Sequence, residues 1–188
     1  NVLAGNIDEF DGAYMMTRLV DYIVEHLSQQ IKAGCDTVQV FDSWASDLGE
    51  DHIIPYCYEP TAQIVERLRD LHPDVGIIVF PRLIGEEINN FSKYVNADCI
   101  SLSDDMKTDW ILKRMGSQCL QGGIPPQVLL SEHREDILRG TVPMIRQMKD
   151  CAYVVNLAHG INKETPVENV RFFIEIVKRN RENITRET

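Results

Sequence analysis

Short apolar runs alternate with amphipathic helical segments along the whole of this 188-residue chain. The apolar runs are nearly continuous, which is typical of strands buried on both faces of a parallel sheet. Each is followed by a helical segment, as the crossover between parallel strands requires. The sequence therefore predicts an α/β fold in which helices cover a parallel sheet. The five predicted strands are 37–41, 75–80, 98–102, 118–122 and 152–158.

Helix signals lie between these strands. Apolar residues recur every four positions from Met15 to Ile31, which predicts a helix over 14–32 with Gly34 as its C-terminal cap. Thr165-Pro166 with Glu168 predicts a capping box at the start of the last helix. The other predicted helices are 62–71, 85–95, 108–115 and 132–148, the last one kinked at Pro143.

Two architectures satisfy this alternation, an open doubly wound sheet and part of a (β/α)₈ barrel. The open sheet would place a glycine-rich phosphate loop after the first strand. Here that turn reads Ser43-Trp44-Ala45-Ser46, and neither GxGxxG nor GxxxxGK[ST] occurs in the chain. In barrels, the residues at the carboxyl ends of strands build the active site. The barrel is therefore the favoured interpretation.

Bulk composition excludes several classes of protein. A net charge of −10 argues against a nucleic-acid partner, because phosphate binding needs a basic surface. No apolar run reaches the length of a membrane helix. The five cysteines are widely spaced without a CxxC pair, as in a protein of the reducing cytoplasm. The chain begins at Asn1 without a signal-peptide pattern, so we expect it to be part of a longer protein that begins further upstream.

Chemically useful side chains cluster where the predicted strands end. Aromatic walls with a few polar groups describe a pocket for a large, flat, partly apolar ligand. Gly122-Gly123 in "QGGIPP" would let backbone amides approach such a ligand closely. The candidate groups are Phe41, Asp42, Ser43, Phe80, Arg82, Ser103, Asp104, Asp105, Asn156 and His159.

Each candidate also has a purely structural interpretation. Ser43 could cap the following helix, and Asp42 could be a turn residue or an ion-pair partner. The two phenylalanines could be core, and Arg82 could be solvated. Asp104-Asp105 could be a helix N-cap pair favoured by the helix dipole. The residue chemistry alone therefore indicates a parallel α/β barrel with a ligand pocket.

Four stretches carry a resemblance that goes further. "AGCDTVQVFDSWASDLG" is similar to a family pattern A-G-x-x-x-x-Q-x-F-[DE]-S-x-A-G, and "GIIVFPRLIG" to P-x-I-x-F-x-K-G-G. "CLQGGIPP" is similar to L-Q-G-N-L-D-P, and "YVVNLAHGINKETPVENV" to N-L-G-H-G-x-x-P-x-T-P-x-x-x-V. Their order and spacing are kept. On these motifs the chain resembles the C-terminal part of the uroporphyrinogen decarboxylase family.

The resemblance implies a (β/α)₈ barrel of TIM type, of which this chain supplies the C-terminal five β/α units as 1–188 of one domain. It implies a cofactor-free carboxy-lyase, usually a cytoplasmic homodimer, that binds uroporphyrinogen III and removes CO₂ from its four acetate side chains to give coproporphyrinogen III. Ser43 and His159 match the family's substrate-contacting serine and histidine. Phe41 and Phe80 match aromatic residues of the cleft, and Arg82 stands near a family lysine.

The chain also departs from the family pattern. The family's carboxylate-binding arginines and its pyrrole-binding aspartate have no counterpart here, so no catalytic residue is assigned and we expect this chain alone to be inactive. Gly123 and Pro125 replace asparagine and aspartate, and Ser103-Asp104 replaces Asp-Trp. Ala158 stands where glycine is usual. These departures point to a divergent or truncated member that associates with a second copy or with a missing N-terminal segment.

Two other functions remain open at this stage. A corrinoid-dependent methyltransferase of the same superfamily would hold zinc through a His-x-Cys pair and a later cysteine, and this chain has no His-x-Cys. No metal ligands are therefore assigned. A catalytically incompetent fragment that binds a porphyrin or a partner protein would explain the missing arginines and aspartate.

Overall fold

In a computed structural model of the chain, the backbone is described for residues 9–187 and the side chains for residues 12–180. Helices and parallel strands alternate along the chain, which confirms the predicted α/β class. The chain divides into two compact units, one reaching Asp98 and the other beginning at Cys99. The assignment of the whole chain to a single domain stays a prediction.

The first unit contains two strands that pair in parallel. Thr37 lies beside Gly76 at one end of the pair, and Asp42 lies beside Pro81 at the other. Two short 3₁₀ turns and a π-helical turn, Ile54–Tyr58, join the main elements. Those elements are α1 (Glu9–Lys32), β1 (Thr37–Asp42), α2 (Glu50–Ile53), α3 (Glu59–Leu71), β2 (Gly76–Pro81) and α4 (Ile88–Val95).

The apolar row with period four that predicted α1 is buried only in part, as at Leu27. Met15 and Leu19 are about half exposed, at 47% and 48%, whereas Val20 and Val24 are buried. Residues four apart on an α-helix are rotated by about 40° relative to each other, so a long row with period four winds off the core. The predicted cap is confirmed, because Gly34 has a φ of +109°.

The second unit contains three strands and three helices. β4 pairs in parallel with β3 on one side and with β5 on the other, with Cys99 beside Cys119 and Leu120 beside Tyr153. The elements are β3 (Cys99–Leu102), α5 (Thr108–Met115), β4 (Cys119–Gly122), α6 (Arg134–Gln147), β5 (Tyr153–Val154) and α7 (Val167–Glu187).

The core of the second unit forms where α6 and α7 pack on each other and on the loop after β4. Its fully buried members include Ile124, Leu129 and Ile137, each 0% exposed. Burial of aliphatic side chains of this size contributes roughly 1.5–3 kcal/mol each. α6 continues through Pro143, which lies on its exposed side.

Two sequence predictions in this unit are wrong. β5 covers two residues rather than 152–158, because Gly122 turns away with a positive φ and pairing resumes only at the Ile124–Leu157 bridge. The capping box is absent, since the Thr165 hydroxyl is buried without a partner. The Pro166 carbonyl instead accepts the first amides of the helix, from Asn169 and Val170.

Candidate functional site

The carboxyl ends of β1 and β2 lie side by side in the first unit, because the two strands are parallel and in register. Asp42 is the partner of Pro81, so Ser43 and Arg82 leave neighbouring strand ends. The Arg82 amide donates a hydrogen bond to the Asp42 carbonyl at 3.0 Å, which extends the pairing by one residue. The structure therefore brings these two predicted ligand contacts to one edge.

Phe41 and Phe80 are also partners in register, and they form an aromatic pair. Their ring centroids are 6.2 Å apart and the rings meet at 88°, a favourable edge-to-face geometry. Phe80 is 5% exposed, whereas Phe41 is 64% exposed. Phe80 therefore belongs to the core and supports the Phe41 ring, which is the one that can meet a ligand.

Ser43 does not cap the segment that follows it. That segment is a 3₁₀ turn beginning at Ala45, with Trp44 at the cap position and no side-chain capping bond. The Ser43 side chain is exposed, and its hydroxyl makes no hydrogen bond within the part of the chain that the structure describes. The hydroxyl is therefore free to bind a ligand.

Arg82 is half-buried, and its guanidinium has no carboxylate partner among residues 12–180. A guanidinium without one can form charge-assisted hydrogen bonds with a ligand carboxylate.

Asp42 holds the turn that carries Ser43. Its carboxylate accepts hydrogen bonds from the Trp44 amide, at 3.4 Å, and from the Cys57 thiol. Burial raises the pKa of Asp42, and the two hydrogen bonds oppose that shift. Burial and the nearby carboxylate raise the pKa of the Cys57 thiol. Asp42 is thus a turn residue rather than an ion-pair partner. No sequence pattern links it to Cys57, so sequence reasoning missed this contact.

In the second unit, polar residues follow β3 as predicted. Ser103 comes directly after the strand and is buried. Asp104 is half-buried and Asp105 is exposed. They are not at the cap of α5, because Lys107 occupies that position.

The glycine pair after β4 is used within the protein. Gly122 and Gly123 have φ values of +82° and +84°. The Gly123 amide donates to the Leu102 carbonyl at 3.0 Å, and the Tyr153 hydroxyl donates to the Gly122 carbonyl at 2.6 Å. The Gly123 amide is therefore bonded within the protein and is not available to a ligand.

His159 follows the loop that closes the β5 region. It is half-buried, and its Nδ1 lies 3.0 Å from the Gly160 carbonyl oxygen. A carbonyl only accepts, so Nδ1 carries a proton and Nε2 is left for a ligand. The Asn156 amide oxygen instead accepts from the Leu157 backbone amide at 2.9 Å, so Asn156 shapes the loop.

The described residues show no sign of a metal centre. No group of three or more His, Cys, Asp and Glu side chains among them could hold a metal ion. All five cysteines are free thiols. Within the described part of the chain, every helix is too short or too polar to cross a lipid bilayer.

Comparison with known proteins gives a consistent result. Residues 10–180 match the family model described as uroporphyrinogen decarboxylase. The chain is 34% identical over 160 residues to the uroporphyrinogen decarboxylase of Orientia tsutsugamushi strain Boryong, covering 85% of this chain and 47% of that protein. It is 30% identical over 167 residues to that of Paracoccus denitrificans, covering 88% and 48%. The uroporphyrinogen decarboxylase of Cereibacter sphaeroides strain ATCC 17025 is 30% identical over 166 residues, covering 87% and 48%.

These matches confirm the resemblance carried by the strand-end motifs. The chain spans about half the length of the curated relatives it matches. The family is one of TIM barrels, and parallel strands alternating with helices are what a part of such a barrel contains. The chain therefore belongs to the uroporphyrinogen decarboxylase family.

Proposed function

We propose that this chain is the substrate-contacting C-terminal part of a uroporphyrinogen III decarboxylase. The reaction removes CO₂ from the four acetate side chains of the tetrapyrrole and gives coproporphyrinogen III, in heme biosynthesis. The observation that carries the proposal is the family match over residues 10–180, together with relatives named for this activity. The whole reaction needs the remainder of such a barrel, because the chain spans 47% of the first of these relatives.

The free polar groups at the strand ends support this substrate. Uroporphyrinogen carries eight carboxylates, and the unpaired guanidinium of Arg82 can bind one of them. The free hydroxyl of Ser43 can donate to a carboxylate, and so can Nε2–H of His159 when the ring is the imidazolium cation. We assign these three residues as substrate contacts.

The aromatic pair supports the ring of the substrate. Phe41 is exposed and held edge to face by the buried Phe80. An exposed aromatic ring fixed from behind offers a rigid apolar surface to a pyrrole. We assign Phe41 to direct contact and Phe80 to its support.

The chemistry explains why binding groups matter. Loss of CO₂ follows protonation of a pyrrole ring, which leaves the ring electron-poor while the other carboxylates stay charged. Hydrogen bonds that hold those carboxylates keep the reacting acetate in place. In this proposal the residues of this chain bind and orient the substrate. The family's aspartate and arginines would come from the remainder of the barrel.

We also propose a cytoplasmic homodimer. The five free cysteines fit a reducing compartment, and the resemblance to the family implies a dimer. A second candidate function is a fragment that binds a porphyrin or a partner protein without turnover. The chain spans under half of each of these relatives, and this supports the binding fragment because turnover needs the remainder of the barrel.

Turnover by a reconstituted protein distinguishes the two functions. The portion of the Orientia relative that this chain does not match would be co-expressed with the chain and supplied with uroporphyrinogen III under anaerobic conditions. Coproporphyrinogen, quantified as porphyrin after oxidation, would support the decarboxylase, whereas bound substrate without product would support the binding fragment.

The His159→Ala variant tests the site in the same assay. Loss of one hydrogen bond to a charged group should lower kcat/KM by at least about tenfold. His133→Ala is the matched control, because His133 is exposed at the start of α6 and its side chain caps nothing. Equal activity of the two variants would refute the assignment of His159.

A further inference from the structure

The first unit contains a second cleft that the proposed substrate contacts do not line. It has a volume of about 590 Å³. Residues of the loops that follow β1 and β2, of α2 and of the π-helical turn line it. This volume is within the range of small-molecule sites, roughly 300–1,000 Å³. Phe41, Ser43, Phe80 and Arg82 are all absent from its lining.

The walls of the cleft are aliphatic. They include Leu48, Ile53, Ile54, Leu83 and Ile84, and Ile54 is 47% exposed. Leu83 has a φ of +57°, a left-handed conformation that is costly for a bulky side chain. Such conformations persist where the surrounding structure holds them, often at ligand sites. The walls therefore suit the apolar part of a small ligand.

The polar group best placed to bind in the cleft is Glu87. Its Oε2 atom accepts a hydrogen bond from the Asn90 side-chain amide at 3.2 Å and lies 3.1 Å from the Tyr58 hydroxyl, whose one proton is shared between this oxygen and the Glu87 backbone carbonyl at 3.0 Å. All three residues line the cleft. Tyr58 is buried against Phe91, and burial together with Glu87 raises its pKa, so its hydroxyl keeps the proton that it donates. The carboxylate is thus oriented before any ligand binds.

The hydrogen bonds of Glu87 also select the shape of its partner. Oε2 is occupied by two donors, whereas Oε1 accepts no hydrogen bond within the described part of the chain. A guanidinium fork needs both oxygens of a carboxylate, but a compact ammonium needs only one. The remaining capacity of Glu87 therefore fits an ammonium group better than a guanidinium.

The charge of the cleft points to a cation. Glu50 is the other ionisable acid in the lining, and no Lys or Arg lines the cleft. Neither Glu50 nor Glu87 forms an ion pair with any described residue. An anionic tetrapyrrole would be repelled here, so the cleft is separate from the proposed substrate contacts.

We propose that this cleft binds a small primary alkylammonium ion, with the ammonium on Glu87 Oε1 and the alkyl chain against the aliphatic walls. The cleft joins the loops that begin at Ser43 and Arg82, so an occupant would link both loops. This site stands independently of the decarboxylase proposal, because neither its residues nor its ligand takes part in that reaction.

The test is a titration of the ¹⁵N-labelled 188-residue chain with n-butylammonium chloride, followed by NMR. The salt concentration is about 0.15 M, because salt at this level screens the long-range attraction of a cation to the acidic chain. We expect saturable shifts of the Ile84, Glu87 and Asn90 amides, with a Kd on the order of 1 mM. n-Butanol has the same chain without the charge and should bind at least about tenfold more weakly, as should n-butylammonium to the Glu87→Gln variant.

Glu86→Gln is the matched control, since Glu86 is exposed as Glu87 is but does not line the cleft. This variant should bind the probe as the unchanged chain does. Tyr58→Phe removes a donor that orients Glu87 and should weaken binding by about threefold. Three results would each overturn the proposal. The chain could bind n-butanol as tightly as n-butylammonium, or the Glu86→Gln and Glu87→Gln variants could lose the same affinity. The same amide shifts could also follow protein concentration in the absence of the probe. The last of these would show a second copy in the cleft.

Discussion

Replacement of Gly122 by alanine tests how tightly the chain turns at the end of β4. Gly122 has a φ of +82°, where an alanine costs roughly 1–2 kcal/mol. A Cβ atom there would also lie 3.0 Å from the Leu102 carbonyl oxygen and 3.2 Å from the Leu157 carbonyl oxygen. These oxygens belong to backbone that pairing holds in place. We add about 1–2 kcal/mol for this overpacking and expect a total loss of about 2–4 kcal/mol in the free energy of unfolding.

Gly123 is the matched control, because its φ of +84° is nearly the same. The atom closest to its added Cβ, at 2.6 Å, is the terminal methyl carbon of Met144, which can move aside because methionine has three rotatable bonds. Gly123→Ala should therefore cost mainly the backbone term, about 1–2 kcal/mol.

The assay is urea unfolding followed by fluorescence in a Trp44→Phe background. Trp44 is 74% exposed and lies in the first unit, so its removal leaves Trp110 as the reporter of the second unit. A loss at Gly123 that equals or exceeds the loss at Gly122 would refute the reasoning, since it would mean that the two carbonyl oxygens do not confine the turn.

Three further predictions concern stability. Asp42→Asn removes a carboxyl whose pKa is raised by burial above its usual 3.8. The folded wild-type chain binds this proton more tightly than the unfolded chain does, so the wild type loses stability relative to the variant as pH rises from about 4 through the raised pKa. In urea unfolding from pH 3.5 to 7, the free energies of unfolding of the two proteins should be equal only at the acid end. A difference independent of pH would contradict the burial of that carboxyl. Tyr153→Phe removes the 2.6 Å hydrogen bond to the Gly122 carbonyl and should lower the free energy of unfolding in urea by about 1–3 kcal/mol. An unchanged free energy would show that water replaces this bond. Asn169→Ala removes two hydrogen bonds, of 2.8 and 2.9 Å, to carbonyls of the loop after β4. It should lower the free energy of unfolding, measured by thermal unfolding, by about 2 kcal/mol. An unchanged Tm would mean that Asn169 does not hold that loop.

The strand ends could be predicted from the sequence because two strong patterns agree there. Continuous apolar runs fixed the strands, and parallel pairing places their carboxyl ends together, so Phe41 and Phe80 are found in register as neighbours. The sequence thus predicted where Ser43 and Arg82 emerge.

Contacts between distant segments could not be predicted in this way. The Cys57 thiol reaches Asp42 from the π-helical turn, and Tyr58 reaches Glu87 from the same turn. No periodic pattern marks these pairs, because each depends on how the loop after α2 folds back. The missed cap at Thr165 has a local cause, since α7 begins at Val167 and the residue directly before it is Pro166, which has no side-chain acceptor.

The shortened β5 shows a different limit. Its sequence over 152–158 is apolar except for Asn156, as a buried strand requires, but a strand also needs a partner. Gly122 leaves the sheet in a left-handed conformation, so the residues opposite it lose their pairing. Propensity in one segment could not reveal a turn in its neighbour.

Anaerobic equilibrium dialysis of the chain against uroporphyrinogen III tests the proposed substrate contacts most directly. The account predicts that the chain retains the tetrapyrrole and that Ser43→Ala weakens its binding by about tenfold, because a free hydroxyl at the end of β1 is lost. Ser117→Ala, at an exposed serine between α5 and β4, should bind as the unchanged chain does. Binding that is absent, or equal in all three proteins, would contradict the account.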